Sequence, residues 1–197
     1  MSSVSVLSQE NIGLGFILLF IVLILVFSLI GIRSGPPSFR YIPAFSRLRR
    51  ALGIAIEAGK RLHFSLGTGG VYGVEGGSGL IGLSLLRKIV GSAAASDRPP
   101  VVTSGEAALA IFSQETIQSA VPTINADRMV PVSEAQLSGL TPFSYAAGSL
   151  SVVQDHQVAA DIIIGHFGIE AALITDAGER TGSMTLAGSD SLAGQSV

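Results

Sequence analysis

Cysteine is absent from the 197-residue chain. Its absence removes disulfides, thiolate catalysis and cysteine-ligated zinc together, and it is compatible with a reducing cytoplasm. Charge is sparse, at 13% of residues, and no Lys or Arg precedes Arg33. A cleaved signal peptide needs a positive start, an apolar core of about 7–15 residues and a small-residue cleavage site. An uncharged start with a longer apolar run reads instead as a signal-anchor that stays in the membrane. H-E-x-x-H, G-x-S-x-G and closely spaced histidine pairs are also missing, as is any tandem repeat; no familiar hydrolase or metalloprotease signature is left. With 48% hydrophobic and 6% aromatic residues, the chain still has the composition of a folded protein.

The longest feature present is the run Ile12–Ile30, which carries no charge and has Ser28 as its only polar side chain. At about 1.5 Å per residue it covers roughly the 30 Å hydrocarbon core of a bilayer, and it predicts a transmembrane helix over 12–32. Only Glu10 is charged before it, whereas Arg33, Arg40, Arg47, Arg49, Arg50, Lys60 and Arg61 follow. Basic residues beside a span stay on the cytoplasmic side. The expected organisation is therefore an extracytoplasmic, poorly ordered tail over 1–11, the span over 12–32, a basic juxtamembrane linker and amphipathic helix over 33–61, and a cytoplasmic domain over 62–197.

Net charge is –2, yet nine Lys or Arg stand against three acids up to Lys88, and three against eleven beyond it. The basic part lies beside the span, so the expected partners are the lipid bilayer and anionic lipid headgroups near Arg47, Arg49 and Arg50, at about 1 kcal/mol per basic residue near the surface. The acidic remainder argues against nucleic acid. Gly35-Pro36-Pro37 breaks the span, and Pro43 opens a helix to about Arg61 with Phe45, Leu48, Leu52, Ala55, Ile56, Gly59 and Leu62 on one stripe. That stripe suits either the interfacial plane or, by slight preference, the following domain.

Beyond it, His63–Gly67 reads as a strand, 67–82 is half glycine, and Ser78 to about Ala94 is a buried helix. Val101–Thr103 is a short strand, and Thr103-Ser-Gly-Glu106 has capping-box spacing for a helix to about Val121. A strand is expected near Met129–Val132, a brief helix or turn from Thr141-Pro142 through Ala147, strands at Leu150–Val153 and Ala160–Gly165, a helix over Gly168–Ala177 ended by Gly178, and a strand at Met184–Ala187. Strands alternating with helices give an α/β class: a single N-terminal transmembrane helix, then a small, mostly parallel sheet domain with helices on its faces.

Gly77-Ser-Gly79-Leu-Ile-Gly82 matches G-x-G-x-x-G. With Gly67, Gly69 and Gly70 it forms the candidate cofactor-binding set, whose backbone N–H groups can face a phosphate at a helix N-terminus. Two features weaken it: the clear strand ends ten residues earlier, and no acid closes the second strand. The plain alternative is that glycine lets the helix approach the sheet. Gly59-Lys60 is not a P-loop, because Gly53 is misplaced and Arg61 replaces Ser or Thr. His63, His156 and His166, with Asp155 and Asp161, invite an acid-base or metal reading, with Asp161 and His166 at the two ends of one strand; isolated histidines are more often structural. No metal or catalytic residue is assigned, and the cofactor is not legible.

The blocks Gly59-Lys-Arg-Leu-His-Phe-Ser-Leu-Gly67, Ser96-Asp-Arg-Pro-Pro100, Leu140-Thr-Pro-Phe-Ser-Tyr-Ala-Ala-Gly148, Asp176-Ala-Gly-Glu-Arg180 and Leu186-Ala-Gly-Ser-Asp190 resemble an uncharacterised family of prokaryotic membrane-anchored proteins, a domain of unknown function. The resemblance covers about Arg47–Val197 and brings no catalytic residue. It implies further hydrophobic segments after the equivalent of Val197, hence a shortened member or a fragment. The expected function is a membrane-anchored, non-enzymatic scaffold or assembly subunit that self-associates or joins a membrane-protein partner. The alternative is a membrane-tethered small-ligand domain, for a nucleotide or phosphate. An enzyme has no supporting constellation.

Overall fold

The computed structural model describes residues 3–33, 40–73, 76–92, 98–120, 134–155 and 158–197. The chain forms two units, Met1–Ile42 and Pro43–Val197. The first contains helix α1 (Ser3–Arg33), of which Asn11–Arg33 is long and apolar enough to cross a membrane, with none of that stretch buried. The helix starts at Ser3 rather than at the expected span. No proline or glycine precedes Gly13, so a helix nucleated in the apolar run extends backwards at one hydrogen bond per residue.

The second unit runs α2 (Pro43–Glu57), β1 (Arg61–Gly67), α3 (Gly76–Ser92), β2 (Val101–Ser104), α4 (Ala107–Ala120), β3 (Ala135–Leu137), α5 (Pro142–Asp155), β4 (Val158–His166), α6 (Ala171–Thr181), β5 (Met184–Ser189) and α7 (Leu192–Gln195). The strands form one sheet in the order β3-β2-β1-β4-β5, and every described pair is parallel. The chain steps outward from β1 to β3, returns through α5 to the other side of β1, and steps outward again. This is the strand order of doubly wound sheets, and its reversal lies between β1 and β4.

Period-two alternation in β1 explains how the two faces differ. Leu62, Phe64 and Leu66 point to one side, where they join Leu48 and Ala55 of α2, Leu86 and Ile89 of α3, Leu109 and Ile117 of α4, and Ile162 of β4 in the main core. His63 and Ser65 point to the other side, toward α5, and both are fully buried. There Tyr145 and Ala146 of α5 pack with Ile163, Phe167, Ala171 and Ile174 in a smaller cluster. At the amino edge Arg61 makes a two-pronged ion pair with Glu134, at 2.9 and 3.1 Å, tying the start of β1 to the start of β3.

Several expectations are corrected. Leu150–Val153 is not a strand, and the helix from Pro142 does not stop at Ala147; α5 runs unbroken to Asp155. Its buried residues Tyr145, Ser149, Val152 and Val153 follow helical spacing, and the Leu-Ser-Val-Val run was too short for periodicity to separate strand from helix. Helix α2 ends at Glu57 rather than Arg61, where Gly59 adopts φ +63 and the strand begins. Helix α6 starts at Ala171 and passes through Gly178 to Thr181; Gly182, at φ 69, is the left-handed residue that ends it. The strand expected at Met129–Val132 lies outside the described residues.

Candidate functional site

In an open parallel sheet the natural place for a ligand is the carboxyl edge where the strand order reverses. In this chain that point is built from the ends of β1 and β4. Gly67 closes β1 at φ +79, and a Cβ there would stand 2.3 Å from the His166 carbonyl oxygen. Gly165 is its counterpart: a Cβ would stand 2.0 Å from the Leu66 carbonyl oxygen. Only glycine lets the two strand ends come this close. Beyond them Thr68 N–H donates to His166 O at 3.0 Å, and Gly105 N–H donates to Gly67 O at 2.8 Å.

The remaining candidate glycines divide. Gly69 is buried and Gly70 half-buried in the β1–α3 connection, with the Glu106 side chain 3.9 Å from where a Gly70 Cβ would stand. Gly79 and Gly82 serve packing. A Cβ on Gly79 would meet the Leu109 side chain at 3.1 Å, and one on Gly82 would meet Leu66 at 2.6 Å and Ile164 O at 2.9 Å, so α3 lies directly on α4 and the sheet. Gly77 is exposed, with open space around it, so in the G-x-G-x-x-G pattern it alone has room for a neighbour of another kind.

Glutamates stand at the starts of α4 and α6, and the one before α4 caps its helix. The expected box of Thr103 with Glu106 is replaced by Glu106 acting as the cap of α4: its Oε2 accepts from Leu109 N–H at 2.8 Å. Thr103 is still inside β2, so it has no free geometry for capping, while Ser104 holds Glu106 N–H at 3.0 Å. Glu170, almost fully buried, accepts from Gly168 N–H at 2.8 Å beside the start of α6. Each carboxylate sits at the positive end of its own helix.

The histidines and acids do not gather as the sequence suggested. His166 pairs with Asp190 beyond β5 at 2.8 Å, at the exposed edge. Asp161 lies inside β4, not at its end, and pairs with His63, a partner that sequence reasoning missed. His63 Nδ1 is 2.7 Å from Asp161 Oδ1, and its Nε2 is 2.9 Å from Thr103 Oγ1. His156 lies outside the described residues. Among the described residues no three His, Asp or Glu side chains form a metal-binding set.

The His63–Asp161 pair belongs to a larger polar centre between the sheet and α5. Tyr145 Oη contacts Ser65 Oγ, accepts from Gly67 N–H at 3.2 Å and lies 3.2 Å from Thr103 Oγ1. Ser149 Oγ donates to Thr103 Oγ1 at 3.2 Å. Burial pushes the Tyr145 phenol up from its ordinary value, against the hydrogen bonds from Ser65, Thr103, Gly67 and Ser149 that favour ionisation. The Asp–His–hydroxyl connectivity matches that of a hydrolytic triad, but His63, Asp161 and Thr103 are all fully buried. No substrate reaches Thr103, so the centre is structural, and Tyr145 is its link to the carboxyl edge.

A family model for a domain of unknown function, DUF6754, matches residues 3–195. The chain belongs to this family. No curated protein and no solved structure matches it. The DUF6754 match takes in α1 as well as the sheet domain, so the apolar helix is part of the family's pattern and not an appendage to it. One strand along from the reversal, the domain also holds an apolar cavity of about 230 Å³, lined by Ile163, Phe167, Ala171, Ala187 and Gly194 among others.

Proposed function

We propose that this chain is a membrane-tethered domain that binds a small anionic ligand, of the phosphate or nucleotide class, at the carboxyl edge of its sheet. The observation that carries the reading is the reversal of strand order between β1 and β4, with a glycine-rich connection leaving β1 at that point. The reversal sends the β1 and β4 connections to opposite faces, which leaves a crevice above the strand ends. Gly67, Gly69, Gly70 and Gly77 line the approach, with Gly79 and Gly82 holding α3 in place. The cavity beside Phe167 offers room for an apolar portion of the ligand. Helix α1 is the tether, Arg33 and the following arginines keep the domain on the cytoplasmic side, and Arg47, Arg49 and Arg50 meet anionic headgroups.

Assembly is the second reading, and one observation favours it. The outer faces of α3 and α4 expose Leu80, Ile81, Ile111 and Phe112, and Leu80, Leu83 and Phe112, with Glu115, Thr116 and Ser119, line a groove of about 310 Å³ there. Native mass spectrometry of the detergent-solubilised full chain separates the two. A retained small-molecule mass on the monomer supports ligand binding. A discrete oligomer without added mass, together with no thermal shift from nucleotides or inorganic phosphate, refutes it in favour of assembly.

A further inference from the structure

The parallel topology gathers at one edge every connection that leaves a strand's carboxyl end, and most of these connections carry an exposed large apolar side chain. Tyr72 follows β1, Leu140 and Phe143 follow β3, Ile169 follows β4 and Leu192 follows β5. Their relative exposures are 86%, 74%, 61%, 59% and 83%. Among the described residues the connections at the amino edge hold none; they carry Lys60, Arg98, Glu134 and Ser183 instead. Exposed apolar side chains also stand on the outer faces of α3 and α4, but those at the carboxyl edge come from four separate connections that meet at one rim, and that convergence calls for an explanation.

Helix α2 indicates what that edge meets. Three residues join its end at Glu57 to Arg61, the first residue of β1, and Lys60 N–H donates back to Ala55 O at 2.9 Å. Because Leu48 and Ala55 are both buried in the main core, the helix lies along the sheet and runs against β1. Its 15 residues span about 22 Å, close to the roughly 23 Å of a seven-residue strand. Pro43 is thus at the carboxyl edge, the same edge that carries the exposed apolar side chains. Exposed Arg47, Arg49 and Arg50 occupy the half of α2 nearest that edge. The chain enters there ten residues after Arg33, the last residue of α1, a reach of at most about 35 Å. Aromatic and aliphatic tips beside arginines, on a short leash from an apolar helix, are the chemistry of a lipid interface.

We infer that the carboxyl edge of the sheet docks on the bilayer surface, with Tyr72, Leu140, Phe143, Ile169 and Leu192 entering the headgroup–acyl boundary and the α2 arginines holding anionic headgroups. This rests on α1 being the membrane tether. It adds that the crevice of the proposed site opens toward the lipid rather than toward the bulk cytoplasm.

The chain contains no tryptophan, so one introduced residue reports alone. The full chain carrying Tyr72→Trp is reconstituted in vesicles of phosphatidylcholine and phosphatidylglycerol with brominated acyl chains. Docking to a depth of about 5–10 Å predicts blue-shifted emission quenched by the brominated lipid, while Lys60→Trp at the amino edge stays water-like and unquenched. Replacing Arg47, Arg49 and Arg50 with glutamate should relieve the quenching of Trp at position 72. Leu192→Trp serves as a second probe if Tyr72→Trp lacks the wild-type far-UV circular dichroism spectrum. Unquenched, water-like emission from both edge probes overturns the proposal. So does blue-shifted emission that ignores brominated lipid and grows with protein density, which would mean that a second copy covers the edge. Carbonate extraction of the same vesicles separates the two levels: a chain released by carbonate refutes the tether, whereas a retained chain with unquenched probes refutes only the docking.

Discussion

The His63→Leu variant tests the polar centre most severely. His63 and Asp161 are fully buried on neighbouring strands, 2.7 Å apart, and the second carboxylate oxygen of Asp161 has no partner among the described residues. Removing the imidazole strands the carboxylate in the interior, and breaking a buried pair in this way costs about 3–5 kcal/mol. For a domain of this size that lowers Tm by roughly 6–20 °C. Thr103 does not add to the loss, because its hydroxyl keeps Tyr145 and Ser149 as partners. The double variant His63→Leu, Asp161→Leu removes both polar groups and fills the space with apolar volume, so it should lie within about 2 kcal/mol of wild type. Urea unfolding of the full chain in detergent, followed by far-UV circular dichroism, measures all three, with Asp161→Leu completing the cycle. Additive single effects, or a His63→Leu cost below about 1 kcal/mol, refute the argument, since contacting residues must couple.

Three further outcomes rest on the same packing and hydrogen bonds. Gly165→Ala pushes a Cβ against the Leu66 carbonyl and should cost about 1–3 kcal/mol or more by forcing β1 and β4 apart, read as a lower urea midpoint. Gly77→Ala, in open space within α3, should stabilise the fold by about 0.5–1 kcal/mol while abolishing any thermal shift from nucleotides; a shift that persists removes Gly77 from the site. The Tyr145 phenol holds its proton more tightly folded than unfolded, so its contribution is complete below the unfolded value of about 10 and is lost as pH rises through the window above it. Alkaline unfolding should therefore be steeper in wild type than in Tyr145→Phe, and identical slopes would contradict the assignment.

How much of this was legible in the sequence depended on whether the information was local. The strand at His63–Gly67 is legible two residues short of its true start at Arg61, with Leu62 assigned to the preceding helix, and Ile162–Ile164 marks a buried strand, because apolar runs are written in neighbouring residues. The α/β class followed from the same signals, and the parallel sheet agrees with it. Strand order did not follow, since nothing local tells the chain to return through α5 and place β4 beside β1. The β-branched pair Val152-Val153 favoured a strand until packing of one face of α5 settled a helix. His63 and Asp161 were both noted, but their contact spans 98 positions. The one available hint is that each is an ionisable residue in the interior of its strand, flanked by apolar neighbours. The glycine pattern was visible and its double meaning was not: Gly79 and Gly82 are packing residues, while Gly67 and Gly165 owe their identity to each other's strands.

The central claim is that the carboxyl edge beside the β1–β4 reversal holds an anionic ligand, and hydrogen–deuterium exchange on the full chain in lipid nanodiscs tests it most directly. On addition of inorganic phosphate and a panel of nucleoside triphosphates, the account predicts slowed exchange in segments 68–77 and 165–168 for at least one of them. Exchange unchanged at that edge with every probe, or protection confined to the outer faces of α3 and α4, would contradict it.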